Sequence, residues 1–151
     1  MVWAYITSKG VGKIFKVTGN MNSSKYCQVL EDVFLNGMCE QNLNLNNYVF
    51  VQDNAPCHKS SLTKKWLAEQ NIKCIDWPPN SPDINLIENV WHILKIAVRR
   101  RDSEITNKDD LWKIIQKEFY KIKPDYIRKL YISLPRRIKS LKNSNFYTTK
   151  Y

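Results

Sequence analysis

The 151-residue chain is 43% hydrophobic, carries a formal net charge of +10 at pH 7, and has no apolar run near the roughly 18 residues that a membrane helix needs. Its length fits one domain or most of a larger one, and no signal-peptide pattern is evident, so we expect a soluble intracellular protein. The charge is uneven, because residues 1–91 hold 8 basic and 8 acidic side chains whereas residues 92–151 hold 16 and 6. This segregation favours a polyanionic partner, foremost nucleic acid; a solvated, lysine-rich helical surface is the alternative.

The first elements predicted along the chain are a β-hairpin and an amphipathic helix. Val2–Thr7 is β-branched and aromatic, two glycines supply a turn, and residues 13–18 resume the alternation of a strand. Apolar residues then recur at intervals of three and four, which predicts a helix that runs to about Asn42. Ser23 or Ser24 is its expected N-cap.

Two short strands separated by a helix are predicted next. Tyr48–Asn54 begins with four apolar residues in a row, which favours a strand buried on both faces, and Pro56 ends it. A helix is expected over about Ser60–Gln70, and Ile72–Trp77 is a further short strand. Asp53 is then expected at the carboxyl end of a buried strand, the edge at which open α/β sheets bind ligands.

The C-terminal part of the chain is predicted to be helical. Ser81–Asp83 is expected to open a long helix, with its serine as N-cap and its proline as first helical residue, and the helix runs into Arg99–Arg101. Two more helices are expected over about 108–121 and 125–140, before a polar tail at 143–151. The order of these elements predicts a mixed α/β sheet with crossover helices.

Two acidic residues in this arrangement point to metal chemistry. Asp53 is expected at the sheet edge, and Glu88 about one and a half turns into the long helix. Mg²⁺ prefers one or two carboxylates, with waters and substrate phosphates completing its coordination, and two such ions can cleave a phosphodiester. From spacing alone, alternatives stay open: Asp53 can start an Asx-turn, and Glu88 can pair with His92. A zinc site at Cys57 and His58 is a weaker alternative to free thiols.

The sequence around these acids resembles a known family. The stretch VFVQDNAPCH holds Asp53, and WPPNSPDINLIENVWHILK holds Glu88 thirty-five positions later; together they resemble the mariner superfamily of DDE transposases. The resemblance covers the whole chain. It implies an RNase H-like fold, with Asp53 as the second and Glu88 as the third catalytic acid and metal ligand. It also implies DNA strand cleavage and strand transfer in transposition, Mg²⁺ or Mn²⁺ as cofactor, DNA as partner, a nuclear location and, as an open possibility, a homodimer on paired DNA ends.

The chain departs from the family pattern at two places. Leu86 stands where the family has proline, and we expect this position inside the helix, where leucine is compatible. The family's first aspartate lies on a central strand ahead of the hairpin, whereas this chain begins at the hairpin and its first acid is Glu31. The resemblance therefore implies unpaired sheet edges, marginal stability, a weakened metal site and poor or absent nuclease activity in the chain as written. The alternative function is an inactive, transposon-derived module that binds DNA or a protein.

The expected organisation is one partial catalytic domain over residues 1–151. The sheet core and the Glu88 helix occupy 1–107, and extra basic helices occupy 108–151. Cations near the end of the Glu88 helix and further along the chain are candidates for sequence-independent phosphate contacts. They are Lys95, Arg99, Arg100, Arg101, Arg136 and Arg137. The three consecutive arginines also suit a C-terminal helix cap or a nuclear localisation patch.

Overall fold

The computed structural model describes residues 1–78 and 84–143. The predicted helix start at Ser81–Asp83 and the predicted tail beyond residue 143 lie outside these residues. The described chain divides into two compact units, one formed by residues 1–4 and 15–78 and the other by residues 5–14 and 84–143. In the part that the structure describes, no helix is both long and apolar enough to cross a membrane.

The predicted hairpin is confirmed as strands β1 (Val2–Thr7) and β2 (Gly10–Lys16), which form a two-stranded sheet. Strand β2 begins three residues earlier than predicted, so both glycines belong to it rather than to the turn. Gly10 has a φ of 144°, a conformation that side chains disfavour. A Cβ on Gly12 would lie 2.2 Å from the ring of Tyr5, so glycine here makes room for that buried ring.

The first unit contains a nearly continuous helix made of α1 (Ser23–Val29), a π-helical stretch (Leu30–Leu35) and α2 (Asn36–Glu40). The helix is confirmed, but the predicted serine cap is wrong. Asn22 has extended backbone and its side chain accepts a hydrogen bond of 2.9 Å from the Lys25 amide, so capping occurs one residue earlier. The buried face of this helix comprises Tyr26, Cys27, Val29, Leu30, Val33, Phe34, Gly37 and Met38.

The prediction of a strand buried on both faces over Tyr48–Asn54 is wrong. In the described residues this segment forms a single parallel bridge, in which Phe50 pairs with Cys74 through backbone hydrogen bonds of 2.7 and 3.3 Å. Val49 and Val51 are 56% and 40% exposed. The segment is extended and paired on one side, so alternate side chains point away from the core instead of into a second layer.

The predicted second strand, Ile72–Trp77, contributes only its part of the same bridge. Between the two extended segments lie α3 (Pro56–Lys59) and α4 (Ser61–Glu69). Proline is the first residue of α3, where its missing N–H is not needed. The Ser60 side chain accepts a hydrogen bond of 3.1 Å from the amide of Thr63, which confirms the predicted start of the longer helix.

The second unit is built from α5 (Leu86–Arg99), a 3-10 turn (Asp102–Glu104), α6 (Lys108–Tyr120) and α7 (Pro124–Asn143). Helices α6 and α7 confirm the two predicted C-terminal helices, and α7 continues past the internal Pro135. Apolar residues from all three helices are buried: Leu86, Val90, Leu94, Ile114, Phe119, Ile127, Leu130 and Leu141.

Helix α5 begins later than the sequence predicts. Asn85 has extended backbone (φ −78°, ψ 97°), so the helix does not run continuously from Ser81. Leu86 is the first helical residue rather than an interior one, and this is a position that accepts proline or leucine equally well. Glu88 consequently lies in the first turn of the helix, not one and a half turns inside it.

Candidate functional site

Asp53 lies at the end of the extended segment in the first unit, and its side chain is 56% exposed. One carboxylate oxygen, Oδ1, accepts a hydrogen bond of 3.0 Å from the amide of Ala55 and lies 2.7 Å from Nδ1 of His58. The Asx-turn that was an alternative for this residue is therefore present. Within the described residues, no hydrogen-bond partner contacts the other oxygen, Oδ2. The Asx-turn uses only Oδ1, so Oδ2 of Asp53 can still bind a ligand such as a metal ion.

His58 belongs to the same cluster, and sequence reasoning considered it only as a zinc ligand. Its side chain is 17% exposed, and its ring lies 4.2 Å from the ring of Tyr26 between centroids, tilted by 37°. The Tyr26 hydroxyl donates a 2.7 Å hydrogen bond to Gln52, whose side-chain amide donates at 3.4 Å to the backbone carbonyl of His58. Burial raises the pKa of Tyr26, which remains a neutral donor. The spacing in the sequence could have identified this contact. A histidine five residues after an aspartate, in the helical turn that follows, can reach back to the aspartate carboxylate.

Glu88 lies in the first turn of α5 in the second unit and is exposed. The positive end of the helix dipole favours a charged carboxylate there. Among the residues that the structure describes, neither Glu88 nor His92 takes part in an ion pair, so the alternative pairing between them is not formed. Glu88 thus presents its carboxylate to solvent.

The residue after Glu88 is tied to α7 by a buried arginine. Arg137 is 7% exposed; its Nη1 donates to Oδ1 of Asn89 at 2.8 Å, and its Nε donates to Oγ of Ser133 at 2.9 Å. The hydroxyl of Tyr126, also on α7, lies 3.5 Å from the carbonyl of Asn89. This burial contradicts the surface position expected for Arg137. Its guanidinium satisfies polar groups inside the unit instead of facing solvent.

Arg101 also forms ion pairs within the protein. Its guanidinium contacts Glu104 at 2.6 Å and Glu118 at 3.0 Å, and these carboxylates raise its pKa further. Lys121 lies 2.7 Å from Glu118, and with Arg101 it holds the pKa of Glu118 below its usual range. This network joins the end of α5 to α6. It neutralises the charge of Arg101, which the sequence predicted to contact DNA phosphate.

The other predicted cations remain on the surface. Lys95, Arg99 and Arg100 are exposed on the last two turns of α5 and at its C-terminal cap, and Arg136 is exposed on α7. Lys95 and Arg99 are four residues apart and therefore lie on the same side of the helix.

The donor chemistry of the two acids suits a hard divalent cation. Carboxylate oxygens are preferred by Mg²⁺ and Mn²⁺, and both Asp53 and Glu88 expose theirs. In the described part of the chain, no three His, Cys, Asp or Glu side chains are grouped as a metal site. All four cysteines are free thiols.

Comparison with known proteins defines the class to which this chain belongs. A solved structure of the Mos1 transposase catalytic domain with raltegravir and Mn superimposes with a TM-score of 0.80 at 17% identity, covering 99% of this chain and 76% of that one. The corresponding structure with Mg matches to the same extent. The predicted RNase H-like fold is thereby confirmed. A structure of the Mos1 mariner paired end complex with Mn also matches at a TM-score of 0.80 and 17% identity, covering 99% of this chain and 44% of that one.

The chain belongs to the DDE superfamily endonucleases, whose family model matches residues 2–112. It is 31% identical over 156 aligned residues to the transposase of the transposable element Tc1 of Caenorhabditis elegans. That match covers 100% of this chain and 54% of the relative. The family match confirms the predicted DDE class. The chain spans about half the length of the relatives that it matches along its whole length.

Proposed function

We propose that this chain supplies the metal-binding, DNA-cleaving part of a transposase of the Tc1/mariner type. The observation that carries the proposal is the state of the two acids at the family's motif positions. Asp53 keeps one carboxylate oxygen free of described partners, and Glu88 is exposed at a helix N-terminus. Glu118, in contrast, is neutralised by Arg101 and Lys121. Two exposed acids with available carboxylate oxygens in these motifs favour a role in binding a cation.

In this proposal, Asp53 and Glu88 hold Mg²⁺ or Mn²⁺. The metal, when bound, supplies an activated water and stabilises the leaving oxygen of a phosphodiester. Asp53 contributes through Oδ2 while its Oδ1 stays bonded to the protein. Glu88 contributes a carboxylate in the first turn of α5. Among the described residues, neither Oδ2 of Asp53 nor the Glu88 carboxylate has an ion pair to break before it accepts a ligand.

The proposed substrate is DNA, held in part by the exposed cations of the second unit. Lys95, Arg99 and Arg100 line the end of the helix that begins at Glu88, and Arg136 adds a further exposed positive charge on α7. Contacts of this kind engage phosphates rather than bases, so binding is expected to be sequence-independent. A DNA substrate also implies action in the nucleus, and a homodimer on paired ends remains part of the proposal for the whole protein.

The test combines Mn²⁺ binding, followed by electron paramagnetic resonance, with nicking of a supercoiled plasmid. Asp53→Asn and Glu88→Gln should each weaken Mn²⁺ binding and abolish metal-dependent nicking, whereas Glu31→Gln, an exposed acid outside the motifs, should change neither. We expect slow nicking by the 151-residue chain, because two carboxylates balance a metal pair less well than three. Mn²⁺ binding that survives both substitutions would contradict the proposal. DNA binding without any metal-dependent nicking would instead support a non-catalytic binding module.

A further inference from the structure

The cluster around Asp53 has an asymmetry that ordinary turn formation does not require. An Asx-turn needs only the hydrogen bond from the Ala55 amide to Oδ1. Here the same oxygen also lies 2.7 Å from Nδ1 of His58. Both protein contacts therefore fall on one oxygen of the carboxylate, and Oδ2 has no hydrogen-bond partner among the described residues.

The proton on the imidazole can be assigned from its neighbours. Nδ1 lies 2.7 Å from Oδ1 of Asp53 and 3.3 Å from the backbone carbonyl of the same residue. A carbonyl oxygen has no proton to donate, and a carboxylate at neutral pH has none either. Nδ1 of His58 must therefore carry the hydrogen and donate it, and the contact restricts rotation of the carboxylate about its last torsion.

His58 is itself held through its ring and through its backbone. Its ring packs on Tyr26, which is 1% exposed and cannot move without opening the core of the first unit. The backbone of His58 is bonded to the side chain of Gln52, which in turn accepts from Tyr26. The backbone amide of His58 donates to the carbonyl of Ala55 at 2.9 Å. A donor fixed in this way sets the orientation of the group that it contacts.

We propose that His58 is a positioning residue for Asp53: it holds Oδ1 and thereby aims Oδ2 at the divalent cation. This inference rests on the proposed function, because it assigns His58 a role toward the metal that Asp53 is proposed to bind. Hydrogen-bonded partners of metal ligands commonly contribute 10–100-fold to metal affinity. A histidine with a purely structural role would instead contribute to stability and leave metal affinity unchanged.

Two substitutions separate the N–H donor from the ring. His58→Phe keeps an aromatic ring against Tyr26 and removes the donor. His58→Asn removes the ring and keeps an N–H donor at the position of Nδ1. We expect His58→Phe to weaken Mn²⁺ binding by about 10-fold or more with a melting temperature near that of the wild type. His58→Asn should keep Mn²⁺ affinity within about three-fold of the wild type, even though the lost ring packing lowers its melting temperature.

The controls distinguish failure of the positioning role from failure of the metal site. Mn²⁺ binding that Asp53→Asn abolishes and His58→Phe leaves unchanged would overturn the positioning role alone. If the wild type does not bind Mn²⁺, or binds it equally well with Asp53→Asn, both the proposed function and the role of His58 are refuted. Should His58→Phe fail to fold, His58→Leu serves as the second donor-free variant. Loss of folding in both would assign the residue a structural role and overturn the proposal.

Discussion

Two adjacent arginines on α7 have opposite environments, and exchanging each for alanine should have opposite effects. Arg137 is buried and donates hydrogen bonds of 2.8 and 2.9 Å to Asn89 and Ser133, whereas Arg136 is exposed. Hydrogen bonds from a charged group contribute about 1.5–3 kcal/mol, and an acceptor left without its donor in a buried place adds to the loss. Arg137→Ala should therefore lower the free energy of unfolding by about 3 kcal/mol. At roughly 2–4 °C for each kcal/mol in a chain of this size, the melting temperature should fall by about 6–12 °C.

Arg136→Ala is the matched control, because it removes the same charge one position away. Because Arg136 is exposed, its replacement should cost less stability than that of the buried Arg137. If it contacts phosphate, its DNA affinity should fall and the slope of log affinity against log salt should decrease by about 1. Stability is measured by thermal melting followed by circular dichroism. DNA affinity is measured by fluorescence anisotropy with a labelled duplex, for both variants at 10 °C below the lower of their melting temperatures. The reasoning is refuted if Arg137→Ala melts like the wild type while losing DNA affinity, since the guanidinium would then act on DNA instead of in the interior.

Three further outcomes can be checked on the same protein. Gly12→Ala should cost about 1–3 kcal/mol, because the new Cβ would meet a buried aromatic ring at 2.2 Å; denaturant unfolding measures this, and an unchanged midpoint would contradict the packing. Glu118 has a lowered pKa, so its contribution to stability is present above its ordinary pKa of 4.5 and is lost as the pH falls through the lowered value. Glu118→Gln should thus melt lower than the wild type at pH 7, and the gap should close as the pH falls below 4.5 and through the lowered pKa; a constant gap would exclude this linkage. The double variant Arg99→Ala/Arg100→Ala should flatten the salt dependence of DNA binding by about 2 in slope, and an unaltered slope would remove both residues from the interface.

Elements that depend on local patterns were predictable from the sequence. The hairpin and the helices α1, α4, α6 and α7 follow from alternation, three-four spacing and end signals, and all are present. The two acids were identifiable because the motifs around them are specific to one family. These features are encoded within stretches of ten to twenty residues, so no knowledge of distant partners is needed to recognise them.

Features that depend on distant partners were not predictable. Four apolar residues at the start of Tyr48–Asn54 indicate a buried strand, but how deeply a strand is buried depends on what lies on its two faces. Arg136 and Arg137 are indistinguishable by composition, and only the packing of α7 on α5 places one inside and the other outside. Similarly, nothing local marks Arg101 as the arginine that meets Glu118, which is 17 residues further along the chain.

The arginine run at the end of α5 has a consequence for how a transport receptor could recognise it. The backbone amides of Arg100 and Arg101 donate to the carbonyls of Ile96 and Val98 at 3.2 and 2.9 Å, and Arg101 also holds its two ion pairs. A receptor that binds a linear motif in an extended form would first have to unwind this turn and release those carboxylates. The run is therefore part of a folded surface and is poorly suited to act as a nuclear localisation signal. Within the folded chain, the run should therefore direct a fused carrier protein to the nucleus less well than an accessible basic motif does.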